Sequence, residues 1–535
     1  MPTHAPPPPA SARLAAVDTP APPTSALIRS VTAATLVAAV LRVFRLGHQS
    51  LWVDEIFTWH SAGGRGDLGL RDVLENVHGP LYSLALHFWM GLAGSSEVAL
   101  RAPSALAGVL CVPAMAWLAH RWLGRSSVTP AAWLVAGSPF LIWYSQETRN
   151  YSWLVLWAIV SIASLLELQR RASAKAFSRV LAVLAAGLLT NFSFALLGPF
   201  QLRLWLGGDP ASRRRRQVAL GVVTLLLALV ALPWLPRIAG TWDWSRLSPQ
   251  RAVVSGEVAL RGTTTFHAAA VPFALHAFAV GYTLGPSLRE LKARPGAGVL
   301  VRHAGELAVT GMLFGSLGVL GLLALARRRR LADALLWMVA PTLLVSYFAS
   351  HNFKVFHPRY IAVAMPCMLL AFAAALADMR PALRRLFGAG IAALWCVSLY
   401  HHYFVPEYAR EDYRGAMAAV RAGAVPGEQV LAVGAPDPVE FYGRGLRVGR
   451  WWLGFAATPG KMQERFEGAL SQAAGTWVVL SRGEDLDPGD RFARWLSSRY
   501  PDAGRWTFAG VRVWHVTQQD RSQSPGAEGR SPAAH

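Results

Sequence analysis

Apolar runs of about 20 residues, the length a helix needs to cross a bilayer, recur along this chain with short polar stretches between them. They predict spans over roughly 27–45, 102–120, 127–145, 150–168, 217–236, 305–326, 331–349, 359–378 and 384–404. Three more stretches, 80–94, 174–208 and 266–285, are apolar but ambiguous. Past residue 405 the pattern changes. "EDYRGAMAAVRAG" has the spacing of an amphipathic helix, and "EQVLAVG", "TWVVLSRG" and "VRVWHV" read as short strands. "DRFARWLSSRY" reads as a helix before the last of them. The pattern therefore predicts an all-α polytopic membrane protein with a small C-terminal α/β soluble domain. Its expected divisions are a disordered tail over 1–26, a transmembrane part over 27–404, the α/β domain over 405–517 and a second disordered tail over 518–535.

Composition sharpens this reading. Apolar residues make up 53% of the 535 and charged residues 16%, which excludes a soluble globular class. A net charge of +21 would suggest nucleic acid in a soluble protein. Here the basic residues gather in short loops between apolar runs, which points to topology and anionic lipid headgroups, with no nucleic-acid partner. Cys111, Cys367 and Cys396 fall inside apolar runs without metal-ligand spacing and read as buried, inert thiols. The first apolar run lacks a small-residue cleavage pattern and reads as an anchor.

Charge also decides the ambiguous stretches. The basic loops are Arg121/Arg125, Arg170/Arg171/Lys175/Arg179, Arg213 to Arg216, Arg327 to Arg330 and Arg380/Arg384/Arg385; the alternating short loops hold only Arg149, Lys354 and Arg359. All the basic loops are cytoplasmic under one parity only. Segment 80–94 then lies along the outer surface, 174–208 forms a hairpin of two short helices turning at "TNFS", and 266–285 stays outside as an interfacial or re-entrant piece. This predicts about 11 spans, the N-terminus inside and the C-terminal domain outside. Asp54/Glu55, "YSQETRNY" (144–151), Asn191 and "HNFKVFHPRY" (351–360) then share the outer face.

These residues carry the candidate chemistry. The acidic pair Asp54 and Glu55 follows the first span among Leu51, Trp52, Ile56, Phe57 and Trp59. It suits a general base with a neighbouring carboxylate that positions it, or an interfacial pair that hydrates a helix end. Gln146, Glu147 and Arg149 are polar at bilayer depth, which is expensive without partners; Arg149 could grip a phosphate or snorkel to the interface. Lys354, His357 and Arg359, beside Tyr360, form a basic cluster on the side the topology rule disfavours, which suits an anion. Arg359 is the favoured phosphate ligand. His78 and Tyr82 in "NVHGPLY" could touch lipid phosphate or be structural. His78, His351 and His357 lack the H-x-x-H or H-E-x-x-H spacing of a metal site. A transporter or flippase of a lipid-linked or anionic substrate is the rival reading. Such proteins place their charges near the midplane on repeated halves, and no repeat is visible here.

The stretches "LRVFRLGHQSLWVDEIFTWH", "HGPLYSLALHFWMGLAGSSEVALRAPSALAG", "SPFLIWYSQETRNYSWL", "LPWLP" and "FHPRYIAVAMP" resemble the bacterial relatives of protein O-mannosyltransferases. Those belong with the lipid A aminoarabinose transferases among the GT-C glycosyltransferases. The resemblance covers roughly residues 30–405. It implies a bundle of 11 to 13 helices with juxtamembrane helices in the first outer loop, set in a bacterial inner (plasma) membrane. It implies inverting transfer of a sugar from a polyprenyl-phosphate donor to a lipid, glycan or protein acceptor on the extracytoplasmic face, with no cofactor and the metal requirement left open. Asp54 is carried over as the base, Glu55 stands beside it, and Glu147 falls near a second essential acid. One departure concerns the lysine that aminoarabinose transferases use beside "PLY"-like residues: the position falls at or next to His78/Gly79 here.

Overall fold

The structure is a computed structural model. It describes residues 23–66, 69, 79–207, 213–234, 269–287, 290–291, 297–351, 356–451, 459–483 and 490–522. His78, Lys354 and most of the two tails lie outside the described residues.

Helices α1 (Thr24–Val43), α2 (Val53–Ser61) and α3 (Pro80–Ala93) precede the long α4 (Glu97–Trp122). There follow α5 (Val128–Gly137), α6 (Pro139–Ser145), α7 (Tyr151–Arg170), α8 (Ala174–Thr190), α9 (Gly198–Leu206) and α10 (Arg213–Ala231). The second half holds α11 (Ala270–Val280), α12 (Ala304–Arg327), α13 (Leu331–Ser350), α14 (Met365–Asp378) and α15 (Pro381–Phe404). A 3-10 segment, Pro358–Ala364, leads into α14.

Among the described residues seven helices are long and apolar enough to cross a membrane: α1, α4, α7, α12, α13, the Pro358–Asp378 unit and α15. The expected 217–236 span is the single helix α10, while 127–145 and 174–208 are made of shorter pieces. The 127–145 run is α5 plus α6, broken where Ser138 caps α6 and Pro139 opens it. The break leaves carbonyls of α5 without helical donors, and the buried Arg42 guanidinium takes two of them, Val135 (3.0 Å) and Ala136 (2.9 Å). In 174–208, α8 ends at Thr190 and Asn191 caps a 3-10 turn over Phe192–Leu197 before α9 begins. In 266–285 the described helix α11 has 11 residues, too short to cross a bilayer. It is held against α15 by hydrogen bonds from Trp395 Nε1 to the Ala279 carbonyl (2.7 Å) and from Ser398 Oγ to the Val280 carbonyl (2.6 Å).

The bundle is centred on Pro358–Asp378, whose most apolar window is 94% buried. Close crossings at the centre need small residues. At Gly108 of α4 a Cβ would lie 2.0 Å from Ser145 Oγ and 2.8 Å from Arg42 Nε. At Gly79, with φ +95°, it would lie 2.3 Å from the Leu189 carbonyl oxygen, so the start of α3 rests on the end of α8.

Beyond α15 come α16 (Tyr413–Gly423), β1 (Gln429–Val433), α17 (Pro436–Tyr442), β2 (Val448–Trp451), α18 (Pro459–Leu470), β3 (Gly475–Ser481), α19 (Arg491–Arg499), β4 (Gly504–Phe508) and β5 (Val511–Thr517). The sheet order is β2-β1-β3-β5-β4. β1 runs parallel to β2 and β3, with Val430 opposite Val448 and Trp477, and β5 runs antiparallel to β3 and β4, with Val478 opposite Trp514. One face packs on Tyr413, Met417 and Val439, the other on Phe466, Phe492 and Leu496. β1 and β3 are buried along their whole length, which explains their unbroken apolar sequences.

Some expectations shift. α1 begins at Thr24, inside the predicted tail. Gln518–Ser522 is helical, entered by a hydrogen bond from the Thr517 N–H to Asp520 Oδ2 (2.7 Å). Cys396 is exposed on the apolar α15, unlike the buried Cys111 and Cys367, because that helix lies at the bundle's edge and is only 22% buried.

Gly108→Ala is expected to lower the apparent unfolding midpoint in detergent, through about 1–3 kcal/mol of overpacking against Arg42 and Ser145. An unchanged midpoint would show that α4 can shift freely.

Candidate active site

Residue 54 stands in the first turn of α2, a short helix too polar to sit within the bilayer core, and its neighbours divide the acidic pair into two different environments. Glu55 turns inward and is fully buried. Arg101 of α4, also buried, grips it bidentately: Nε donates to Oε1 and Nη2 to Oε2, both at 2.8 Å. The Thr148 N–H donates to the same carboxylate at 2.7 Å. Arg101 further donates to the carbonyls of Leu46 (2.9 Å), Gln49 (2.8 Å) and Ser50 (3.0 Å). Burial alone would raise the Glu55 pKa; the Arg101 charge and hydrogen bonds overcome it and hold the carboxyl below its usual value. Glu55 is thus occupied on both oxygens.

Asp54 turns outward. Its side chain is 29% exposed, and Oδ2 accepts from Arg359 Nη1 at 2.9 Å across 305 residues of sequence. The Arg359 guanidinium also lies over the rings of Tyr151 (5.7 Å) and Tyr360 (5.3 Å). Arg149 lies close by. It is over the same Tyr151 ring at 5.6 Å, and its Nη1 donates to Thr58 Oγ1 (2.8 Å) and to the Asp54 carbonyl (3.1 Å). Two arginines thus flank one tyrosine within reach of one carboxylate. His357 accepts from the Arg359 N–H through Nδ1 at 3.2 Å and so steadies the 3-10 turn that carries Arg359.

The 146–150 loop is buried throughout. Gln146 Nε2 donates to the carbonyls of Arg42 (3.0 Å) and Phe44 (2.9 Å), closing the end of α1, and its Oε1 meets His402 Nε2 at 2.8 Å. Glu147 pairs with Arg410 (3.0 Å) and accepts from Trp143 Nε1 (2.9 Å), both on Oε1. Its Oε2 is buried with no hydrogen-bond partner among the described residues. Burial lifts the Glu147 pKa above its usual value despite Arg410. The two buried glutamates therefore shift in opposite directions, because Arg101 engages both oxygens of one while Arg410 engages a single oxygen of the other.

Asn150 and Asn191 join α7 to α8: Asn191 Nδ2 donates to Asn150 Oδ1 (3.2 Å), and Asn150 Nδ2 to the Thr190 carbonyl (2.8 Å). Tyr82 hydrogen-bonds Ser104 at 2.8 Å, and Ser104 Oγ donates to the Arg149 carbonyl at 2.8 Å. A small cleft lies beside Arg149, lined by Phe57, Thr58, Ser61, Gly79, Tyr82, Ser83 and Asn150.

Asp54, Glu147, Arg149, Arg359 and Tyr360 thus converge, with Gln146, Asn191, Tyr82 and His357 supporting them from behind, and Glu55 is held apart in its own ion pair. Sequence reasoning missed Arg101, Arg410 and Thr58. An arginine inside an apolar span needs a carboxylate, so Arg101 was detectable; Arg410 sits in a linker with no pattern. Among the described residues no set of three His, Cys, Asp or Glu side chains could hold a metal ion.

Residues 77–236 match the family model described as dolichyl-phosphate-mannose-protein mannosyltransferase. No curated protein matches the chain by sequence. Among solved structures the chain is similar to ArnT from Cupriavidus metallidurans bound to undecaprenyl phosphate, with TM-score 0.56 and 14% identity over 93% of this chain and 99% of that one. It is also similar to the Archaeoglobus fulgidus oligosaccharyltransferase tethered with an acceptor peptide, with TM-score 0.55 and 11% identity over 93% and 74%. A third likeness is to AglB of the same archaeon in complex with an inhibitory peptide and a dolichol-phosphate, with TM-score 0.52 and 12% identity over 92% and 74%. The family model matches 160 of the 535 residues, and over nearly its whole length the chain shares the fold of these solved structures, with seven helices among the described residues long and apolar enough to cross a membrane.

Proposed function

We propose that this enzyme moves a sugar from a polyprenyl-phosphate donor to a hydroxyl acceptor at the extracytoplasmic face, with inversion and with Asp54 as general base. The observation that carries the reading is the Asp54–Arg359 contact at 2.9 Å, beside Arg149 on the shared Tyr151 ring. Four guanidiniums (Arg101, Arg149, Arg359, Arg410) face three carboxylates (Asp54, Glu55, Glu147), which leaves one net positive charge. A sugar phosphodiester brings one negative charge, so the donor would neutralise the centre.

In this reading the donor phosphate lies between Arg149 and Arg359 and draws Arg359 from Asp54. Lys354 joins them. The acceptor oxygen attacks the anomeric carbon from the face opposite the phosphate, the carbon–oxygen bond to phosphate breaks, and its electron pair leaves with the lipid phosphate. The acceptor proton passes to Asp54. The leaving group is a stable anion that needs charge neutralisation more than protonation, which the two arginines provide. The cleft of Thr58, Ser61, Ser83 and Asn150 takes the sugar hydroxyls, and the polyprenyl tail stays in a groove between helices. The N-terminus is cytoplasmic and the α/β domain extracytoplasmic, as the basic loops require, and the membrane is the bacterial inner membrane.

Purified protein is offered radiolabelled undecaprenyl-phosphate pentoses and hexoses with a membrane extract as acceptor. Asp54→Asn is expected to lower transfer by about 10²–10⁴-fold, the range of general-base catalysis, at unchanged expression and unfolding midpoint. Retained turnover would refute the base assignment. Arg359→Ala is expected to weaken undecaprenyl phosphate binding more than Lys354→Ala does; equal effects would remove the case for Arg359 as the main ligand.

Glu55→Gln is expected to act on stability, losing about 3–5 kcal/mol by stranding buried Arg101. Because the folded-state Glu55 pKa lies below its usual value of 4.5, the ion pair stabilises fully above that value. Its contribution fades as pH falls through the depressed folded-state value. Unfolding midpoints of wild type and variant that stay equally far apart from pH 7 down to pH 3 would contradict this.

A further inference from the structure

We propose that Arg410 is a positioning residue for sugar transfer: it holds Glu147 and the 146–150 loop in register with Asp54, and it ties that register to the docking of the C-terminal α/β unit. This rests on the reading of the centre as the transfer site and extends it to a part of the chain beyond the last span, outside the family segment.

Arg410 leaves the end of α15 and turns back into the bundle. Its side chain is 6% exposed. Nη2 donates to Glu147 Oε1 (3.0 Å), Nη1 to the Gln146 carbonyl (3.1 Å), and its own N–H to Gln49 Oε1 (3.2 Å). The guanidinium lies over Trp143 at 5.0 Å, and Trp143 donates to the same Glu147 oxygen. Glu147 is thus oriented by two donors on one oxygen, while the other stays buried and open. Asp54 and Arg359 act electrostatically on the same carboxylate, so it belongs to their centre. Without Arg410, a buried carboxylate near two other acids would take up a proton.

The residues around Arg410 clamp the segment that leads into Asp54. Ser50 Oγ donates to the Glu411 carbonyl (2.6 Å) and accepts from the Tyr413 N–H (3.1 Å). The Leu51 N–H donates to Tyr442 Oη (2.7 Å), which donates to Glu97 (3.0 Å), and Arg414 pairs with Glu97 (3.0 Å). Val53, next to Asp54, packs into the α/β core with Tyr413, Met417 and Val439. Phe441 meets Trp59 of α2 edge to face at 4.9 Å. The α/β unit therefore grips both the acid helix, through Val53 and Trp59, and the Glu147 loop, through Arg410.

The test uses the full-length chain in detergent and the same radiolabelled donors, with undecaprenyl phosphate binding followed by tryptophan fluorescence. Arg410→Met is expected to lower kcat by about 10²-fold, the scale of an ångström-level misplacement, with the Kd for undecaprenyl phosphate within about threefold of wild type. The acid limb of its kcat profile should move to higher pH, since Glu147 loses its cation, and Arg410→Lys should recover part of kcat and of the pH shift. Tyr442→Phe, remote from Glu147, should lower kcat in the same direction with Kd unchanged. A wild-type kcat and pH profile in Arg410→Met overturns the proposal, as does parallel loss of Kd, kcat and unfolding midpoint in both Arg410 variants. A wild-type kcat in Tyr442→Phe overturns the link to docking. Turnover retained in Asp54→Asn, or none by wild type with any donor, would instead sink the reading on which the inference rests.

Discussion

Burying an arginine and a carboxylate at the edge of a membrane demands that each find the other, and the rest of this site follows from that demand. Arg101 and Glu55 meet in a two-pronged pair at 2.8 Å, both out of solvent. Left single, either would carry a severe desolvation penalty. The pair leaves little freedom to the loop between α1 and α2, since Arg101 also holds the Leu46, Gln49 and Ser50 carbonyls. Asp54, about 100° round the helix from the inward Glu55, points toward Arg359 instead.

The same rule acts on the broken helices. Pro139 ends the α-helical ladder in mid-span, and Arg42 answers the exposed carbonyls of α5. Gln146 answers those at the end of α1. Each break in regular structure is matched by a polar side chain from a distant helix, as a low-dielectric setting requires. The breaks bring Glu147 and Arg149 beside α2, where an unbroken span would have turned them to opposite sides of one helix. Irregular backbone and reactive groups coincide here because the groups that satisfy the backbone also fix the loop.

The α/β unit is joined to this frame by side chains rather than by apolar area alone. Arg410, Arg414 and Tyr442 reach from it to Glu147, Glu97 and the Leu51 backbone. Its own stability comes from a sheet covered on both faces. α2, which has only nine residues, shares its apolar face with Phe441 and Tyr442 of that unit.

Much of this architecture was legible in the residues. Apolar runs near 20 residues mark the spans, because bilayer thickness sets their length. The continuous apolar stretches of β1 and β3 mark central strands, because both faces are covered. The edge strands β2 and β4 escaped notice, since "VGRW" and "GRWTF" are short and half-polar and only pairing makes them strands. Asp54, Arg149 and Arg359 stood out as charges that a membrane disfavours. The sequence could not separate Asp54 from Glu55, which are chemically alike and adjacent; Arg101, 46 residues beyond Glu55, separates them by engaging one carboxylate on both oxygens. Nor could it reveal Arg410, whose meaning comes from a contact across 263 residues. Local pattern determines what a segment can be, because hydropathy and backbone geometry act over a few residues. Which carboxylate is buried in a two-pronged pair and which faces outward depends on long-range pairing in three dimensions, and that only the folded chain decides.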